Sequence, residues 1–297
     1  MRHLFLVISV FLSSITFSQT TVMETYGDSL TAGLLDYTNI TENNELNSVS
    51  AILSDLSTFK LTNDRSFLKK HEWAEFSWPA YLTSRLKNTE TQFEIRNFAL
   101  SGARSNELIE EVAKAPQPEA NRNVIAFFFI GHNDLCYHKG NPESLSQDYF
   151  NNVQRAIEEW DKKHQDARAY LISVAEVQNI YPVLDELVWH DGPRARYRCN
   201  ENWKLFFPYC PSFYEKHKQG TLNDYLIPRV EALNKSLDKI VETMKRNGGR
   251  NQYFRLNKSM GAEFRKEYFA LDCYHLSRNG QEFLANEIYQ AIKWQSF

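Results

Sequence analysis

Ser29, Asp272 and His275 are residue types of nucleophilic catalysis, and they lie at opposite ends of a 297-residue chain. A serine hydroxyl is a weak nucleophile until a base takes its proton. His275 is the candidate base. Asp272, in Asp272-Cys273-Tyr274-His275, is close enough in sequence to accept the other ring proton, which would fix the tautomer and stabilise the imidazolium. The attack generates an oxyanion that needs preplaced donors. Three are candidates: the backbone N–H of Ser29, that of Gly102 in Asn97-Phe98-Ala99-Leu100-Ser101-Gly102, and the side-chain amide of Asn133 in Gly131-His132-Asn133-Asp134. Taken singly, Gly102 reads equally as a turn glycine and Asn133 as a loop-capping amide. An Asp-x-x-His alone is a weak signal that becomes specific only through its position and its distant serine partner.

Each group falls where a chain turns out of one element into another. Thr21 to Tyr26 reads as a strand that turns at Gly27 towards a helix, placing Ser29 on a strand-to-helix turn. Val124 to Ile130 is a continuous apolar run of strand length, which predicts a strand buried on both faces of a parallel sheet. Gln92 to Leu100, Ala169 to Val174 and Gln252 to Leu256 read as further strands. Helices are expected over Ser105–Ala115 and Ser144–His164, the latter with Phe150, Val153, Ile157 and Trp160 at helical spacing. Leu222–Asn247 reads as a helix interrupted near Pro228, and Arg278–Trp294 as one with Phe283, Leu284, Ile288 and Ile292 inward. Strand and helix in alternation predict a doubly wound α/β sheet, whose ligands lie beyond the carboxyl ends of the strands.

The composition narrows the function classes. A net charge of −3 without a basic cluster argues against nucleic acid as a partner. Residues 1–18 read as a secretory signal peptide: Arg2, a mostly apolar stretch from Leu4 to Ile15, and a cleavage region at Thr16-Phe17-Ser18. Its removal takes the charge to −4 and leaves a single domain over residues 19–297, with insertions near 36–78 and 178–220. An exported chain favours disulfides among Cys136, Cys199, Cys210 and Cys273. Cys199 and Cys210 flank a short aromatic loop and are the favoured pair. Cys136 and Cys273, each beside a motif, read equally as a second bridge or as buried thiols. The aromatic 178–220 segment reads first as a mini-core around a Cys199–Cys210 bridge, with an acyl pocket or lipid-facing surface as the functional alternative. Sequons occur at Asn39, Asn234 and Asn257. His132, His138, Asp134 and His275 match no common metal-site spacing, and neither a metal nor a cofactor is expected. There is no G-x-S-x-G elbow, which counts against an α/β-hydrolase.

Together the four motifs resemble those of the GDSL lipase/esterase family, also called SGNH hydrolases. Gly27-Asp28-Ser29-Leu30, Asn97 to Gly102, Gly131-x-Asn133-Asp134 and Asp272-x-x-His275 match the family's four blocks in order. The resemblance implies a flavodoxin-like three-layer α/β/α sandwich. It implies Ser29 as nucleophile, His275 as base, Asp272 as its orienter, and Ser29, Gly102 and Asn133 as the oxyanion hole. Gly27-Asp28-Ser29-Leu30-Thr31-Ala32-Gly33, Asn133-Asp134-Leu135-Cys136 and Asp272-Cys273-Tyr274-His275 look like the phospholipase B branch. That branch implies an ester substrate of lipid or lysophospholipid type, with transient membrane-surface contact. A carbohydrate O-acetyl esterase is the alternative on the same chemistry, and a secreted binding protein that kept the sheet is the non-enzymatic one.

Overall fold

The structure, a computed structural model, describes residues 20–34, 74–87, 92–118, 122–184, 188–191, 195–199, 210–247, 249–257, 264–270 and 272–293. The expected signal peptide, most of the 36–78 insertion, the Asn39 sequon and part of the 178–220 segment lie outside these residues. In chain order the elements are β1 (Thr20–Gly27), α1 (Ser29–Ala32), α2 (Trp78–Leu86), β2 (Gln92–Asn97), α3 (Leu108–Lys114), β3 (Asn123–Phe129), α4 (His132–Tyr137) and α5 (Pro142–Lys163). There follow β4 (Arg168–Ile172), α6 (Ile180–Leu184), β5 (Val188–Asp191), β6 (Ala195–Arg198), α7 (Pro211–Lys218), α8 (Leu222–Arg246), β7 (Gln252–Leu256) and α9 (Arg278–Ile292).

Five strands form one parallel sheet in the order β2-β1-β3-β4-β7, and β5 pairs with β6 in a separate antiparallel ribbon. Strand alternation divides the core in two. Met23, Ile125, Phe127, Phe129, Tyr170 and Leu256 meet Trp78 and Leu82 of α2 and Leu284, Ile288 and Ile292 of α9. Val22, Tyr26, Val124, Phe128, Leu171 and Tyr253 point the other way, towards α3, α5 and α8. This is the three-layer α/β/α sandwich. The apolar run of β3 follows from it, because a strand covered by helices on both sides needs apolar residues at every position. Rings also stack across strands: Phe127 on Tyr170 at 5.1 Å, Tyr170 on Phe254 at 5.0 Å, and Tyr26 on Phe128 at 4.9 Å. Each such large apolar side chain contributes about 1.5–3 kcal/mol on burial.

The strand order reverses direction between β1 and β3, and a crevice opens there at the carboxyl ends of the strands. Helix starts obey local chemistry. Asn141 caps α5 by accepting from the Ser144 N–H, with Pro142 at the first helical position, and Ser277 caps α9 by accepting from Gly280. Two expectations are corrected in detail. The Ser105–Ala115 segment is a 3-10 turn, Ser105–Glu107, followed by α3. Helix α8 runs unbroken through Pro228; buried Leu226, Val230 and Leu233 hold it to the sheet, and Arg229 donates its guanidinium to the Tyr225 carbonyl. The Asn234 sequon lies inside α8. Asn234 Oδ1 accepts from the Val174 N–H and from Arg255, so this side chain is engaged with the protein.

The expected Cys199–Cys210 bridge does not form, nor does Cys136–Cys273. The disulfides are Cys136–Cys210 and Cys199–Cys273, with Cα atoms 4.7 and 5.5 Å apart. Helix α4 and the Asp272–His275 loop both emerge near the crevice, and each meets one cysteine of the 178–220 segment. Each bridge spans 74 residues in sequence, which in the chain-entropy picture stabilises by about 4 kcal/mol. The reading of that segment as a mini-core around a local bridge falls with the pairing.

Gly27 illustrates how tightly the crevice is built. Its φ is +151°, and a Cβ there would lie 2.1 Å from the Phe129 carbonyl oxygen. Its N–H donates to buried Glu111 Oε2 at 2.7 Å. Gly27→Ala is expected to lower the unfolding free energy by about 2–4 kcal/mol through strain and overpacking. Urea denaturation checks this, and an unchanged midpoint with unchanged slope contradicts it.

Candidate active site

Ser29 is the first residue of α1. Asp28 precedes it as N-cap, its Oδ1 accepting from the Leu30 N–H at 3.0 Å, and Gly33 closes the turn at φ +77° with its N–H on the Ser29 carbonyl. Asp-Ser followed four residues later by glycine thus writes a single capped turn with a hydroxyl at its start. Across the crevice the Asp272–His275 turn folds on itself: Asp272 Oδ1 accepts from the N–H groups of Tyr274 (3.0 Å) and His275 (2.9 Å). Cys273, at φ +63°, takes the turn's strained position and is fastened to Cys199.

These two turns, 246 residues apart in sequence, meet. His275 Nε2 lies 2.8 Å from Ser29 Oγ, and His275 Nδ1 lies 2.5 Å from Asp272 Oδ2. Burial by itself would raise the Asp272 pKa. The charge and hydrogen bond of His275, with the two backbone donors, outweigh it and hold the carboxyl below its ordinary value. An ionised Asp272 accepts from Nδ1–H, which leaves the Nε2 lone pair facing the serine hydroxyl.

Besides the Ser29 N–H, the candidate oxyanion donors are Gly102 and Asn133. Gly102 follows β2 at φ +77°, a conformation glycine adopts without steric cost. Asn133 Nδ2 donates to the Ala103 carbonyl at 2.9 Å, which ties α4 to the Gly102 loop and leaves the amide's second hydrogen. Asn97 fixes that loop to the Ser29 turn: its Oδ1 accepts from Thr25 Oγ1 (3.0 Å) and Ala99 N–H (3.2 Å), and its Nδ2 donates to the Thr31 carbonyl (3.0 Å). Asp134 accepts from both the N–H (2.9 Å) and the hydroxyl (2.6 Å) of Ser105, and burial pushes its carboxyl pKa up. A small apolar cavity is lined by Leu30, Ala175, Val177, Phe269, Tyr274 and Leu276, and neither Ser29 nor His275 lines it.

The structure thus brings Ser29, Asp272, His275, Gly102 and Asn133 to the loops at one end of the sheet. It also adds supports that the sequence reading passed over. Glu111 accepts from Gly27. Gln281 of α9 accepts from Trp78 N–H (2.9 Å) and donates to the Leu30 carbonyl (3.1 Å). His132 reaches Asp28 Oδ2 at 2.9 Å. No local pattern marks these residues, since their partners lie 84 or more positions away. Among the described residues no group of three or more His, Cys, Asp and Glu side chains is gathered as a metal site. His138, one of the ligands considered above, bonds Asp148 and the Gly140 N–H instead.

A doubly wound sandwich with these four motifs at its switch point has the architecture of an SGNH-type hydrolase. A family model, GDSL-like Lipase/Acylhydrolase, matches residues 24–288, and the chain belongs to that family. Among solved structures it is similar to a family two carbohydrate esterase from Clostridium thermocellum in complex with cellohexaose (13% identity, TM-score 0.51, 93% of this chain and 65% of that one). It is similar to a family two carbohydrate esterase from Cellvibrio japonicus (13%, TM-score 0.50, 94% and 63%) and to TesA (14%, TM-score 0.45, 92% and 98%). The chain therefore spans a little under two thirds of those two carbohydrate esterases. A comparison with curated proteins finds no significant match.

Proposed function

We propose that the protein is an exported serine esterase that cleaves carboxylic esters of lipid or lysophospholipid type through an acyl-enzyme on Ser29. The observation that carries the reading is the hydrogen-bonded chain from Ser29 Oγ through His275 to Asp272. His275 Nε2 takes the hydroxyl proton as Oγ bonds to the ester carbonyl carbon. The negative charge that develops on the carbonyl oxygen is met by the Ser29 and Gly102 N–H groups and the Asn133 amide. The tetrahedral species collapses, the ester C–O bond breaks, and Nε2 returns the proton to the leaving alkoxide. Water then repeats the sequence on the acyl-enzyme, releasing the acid and restoring Ser29. Asp272 holds the imidazole and offsets its transient positive charge throughout.

The lipid class is supported by the phospholipase B-like wording of Gly27–Gly33, Asn133–Cys136 and Asp272–His275. Export is supported by the signal-like residues 1–18 and by the two disulfides. Among the described residues no helix is long and apolar enough to cross a membrane. Release of fatty acid from lysophospholipid micelles is expected, with a fluorophosphonate attached to Ser29 in the intact protein. Release of acetate from acetylated xylan without fatty acid would transfer the substrate to the carbohydrate ester class. Absence of both labelling and turnover would overturn the esterase reading.

A further inference from the structure

His132 fills the unspecified position of the Gly131-x-Asn133-Asp134 motif, yet it is among the most constrained side chains of the crevice. It is 2% exposed, and Phe129 packs against its ring edge-to-face at 4.8 Å. Both ring nitrogens are engaged: Nδ1 lies 2.9 Å from Asp28 Oδ2, and Nε2 lies 3.0 Å from the Ala175 backbone nitrogen. A backbone N–H only donates, so Nε2 carries the lone pair and Nδ1 the proton. The ring is a neutral imidazole that donates to Asp28. Asp28 is itself fully buried, and its other oxygen caps the Leu30 N–H. The carboxylate that sets the first turn of α1 is therefore held at both oxygens, one by the helix it caps and one by His132.

We infer that His132 is a positioning residue for the nucleophile, acting through Asp28; the inference rests on Ser29 as the nucleophile. Without the imidazole donor, Asp28 Oδ2 would be a buried, unpaired charge, and the carboxylate would rotate towards another donor. That rotation gives up the Leu30 cap and shifts Ser29 relative to His275 Nε2. The next residue, Asn133, is anchored on the Ala103 carbonyl. The first turn of α4 thus sets the nucleophile through one side chain and an oxyanion donor through the next.

Two substitutions separate the two hydrogen bonds. In His132→Asn the amide nitrogen stands where Nδ1 stood and keeps the donor to Asp28. In His132→Gln the amide oxygen stands where Nε2 stood, accepts from Ala175 and gives Asp28 nothing. Expected are a kcat for H132N within about threefold of wild type and a kcat for H132Q lower by about 10- to 100-fold, with KM for a short nitrophenyl ester little changed in both. The rate of fluorophosphonate attachment to Ser29 should fall in parallel with kcat. A purely structural role predicts instead that activity follows melting temperature, with the two variants equally affected, and that result overturns the inference. So does an H132Q enzyme as fast as wild type. Nitrogen NMR of the wild-type protein gives a reading that needs no variant: His132 protonated at Nδ1 and bare at Nε2 is required, and the opposite tautomer refutes the inference. If wild-type Ser29 is not labelled at all, the nucleophile assignment fails; if it is labelled and H132Q reacts equally fast, only the role of His132 fails.

Discussion

Ser29→Ala is expected to lower ester turnover by about 10³-fold or more, the scale found when the nucleophile of such a triad is removed. The change deletes one oxygen and little else. Ser29 is the first residue of a four-residue helix whose cap is Asp28 and whose closing bond uses the Ser29 carbonyl, both untouched by alanine. The Oγ bond it loses is the one to His275, whose imidazole stays fixed by Asp272 and by its own backbone N–H. Thermal stability should accordingly move by no more than about 1 kcal/mol, while kcat falls and KM barely changes. Any residual rate would come from the oxyanion donors acting on bound water. Steady-state kinetics with calorimetry on the same preparation tests both halves, and turnover within tenfold of wild type would place the nucleophile at another residue.

Much of this arrangement was legible in the sequence, for a physical reason. Chemistry that is local in the chain leaves local marks. Gly27-Asp28-Ser29 writes a strand end, a cap and a hydroxyl in three residues. The unbroken apolar run from Val124 to Ile130 records that β3 is covered on both sides. Asp272-x-x-His275 closes its own turn, because Asp272 accepts from the backbone N–H groups two and three residues on. What was not legible depends on where distant segments arrive. Cys199 and Cys210 look like partners because they are near in sequence, but each is claimed by a motif cysteine on a different loop of the crevice. Pro228 looks like a helix break because propensity is local, whereas the apolar face that carries α8 past it is tertiary. Glu111, His132 and Gln281 carry no signature, since each becomes meaningful only when folding sets it against the Gly27–Leu30 turn. Ser29, His275 and Asp272, proposed as nucleophile, base and orienter, were therefore readable as candidates from residue type, and the groups that hold them together were not.

Asp272→Asn is expected to have the second-largest effect on turnover, about 10²- to 10⁴-fold, although it replaces a carboxylate by a group of the same shape. Asp272 accepts three N–H groups, two from the backbone at Oδ1 and one from His275 at Oδ2. An asparagine has one oxygen for these three donors. If that oxygen stays with the backbone pair, its NH₂ faces His275 Nδ1 and forces the ring into the other tautomer, with the proton on Nε2 pointing at Ser29. A protonated Nε2 cannot accept the serine hydrogen. If the amide flips, the tautomer survives, but the NH₂ then opposes the Tyr274 and His275 N–H groups and the turn opens. Either way the imidazole loses the negative charge that stabilises its protonated form. Stability should respond with a definite sign. The Asp272 carboxyl is held below its ordinary value in the folded state, so its contribution is complete above the unfolded carboxylate pKa of about 3.9 and fades as pH falls through the lower folded value. The gap in urea midpoint between wild type and D272N should therefore be widest near pH 7 and shrink towards pH 3. A gap that stays constant with pH, or a rate loss under tenfold, would mean that Asp272 neither charges nor orients the base.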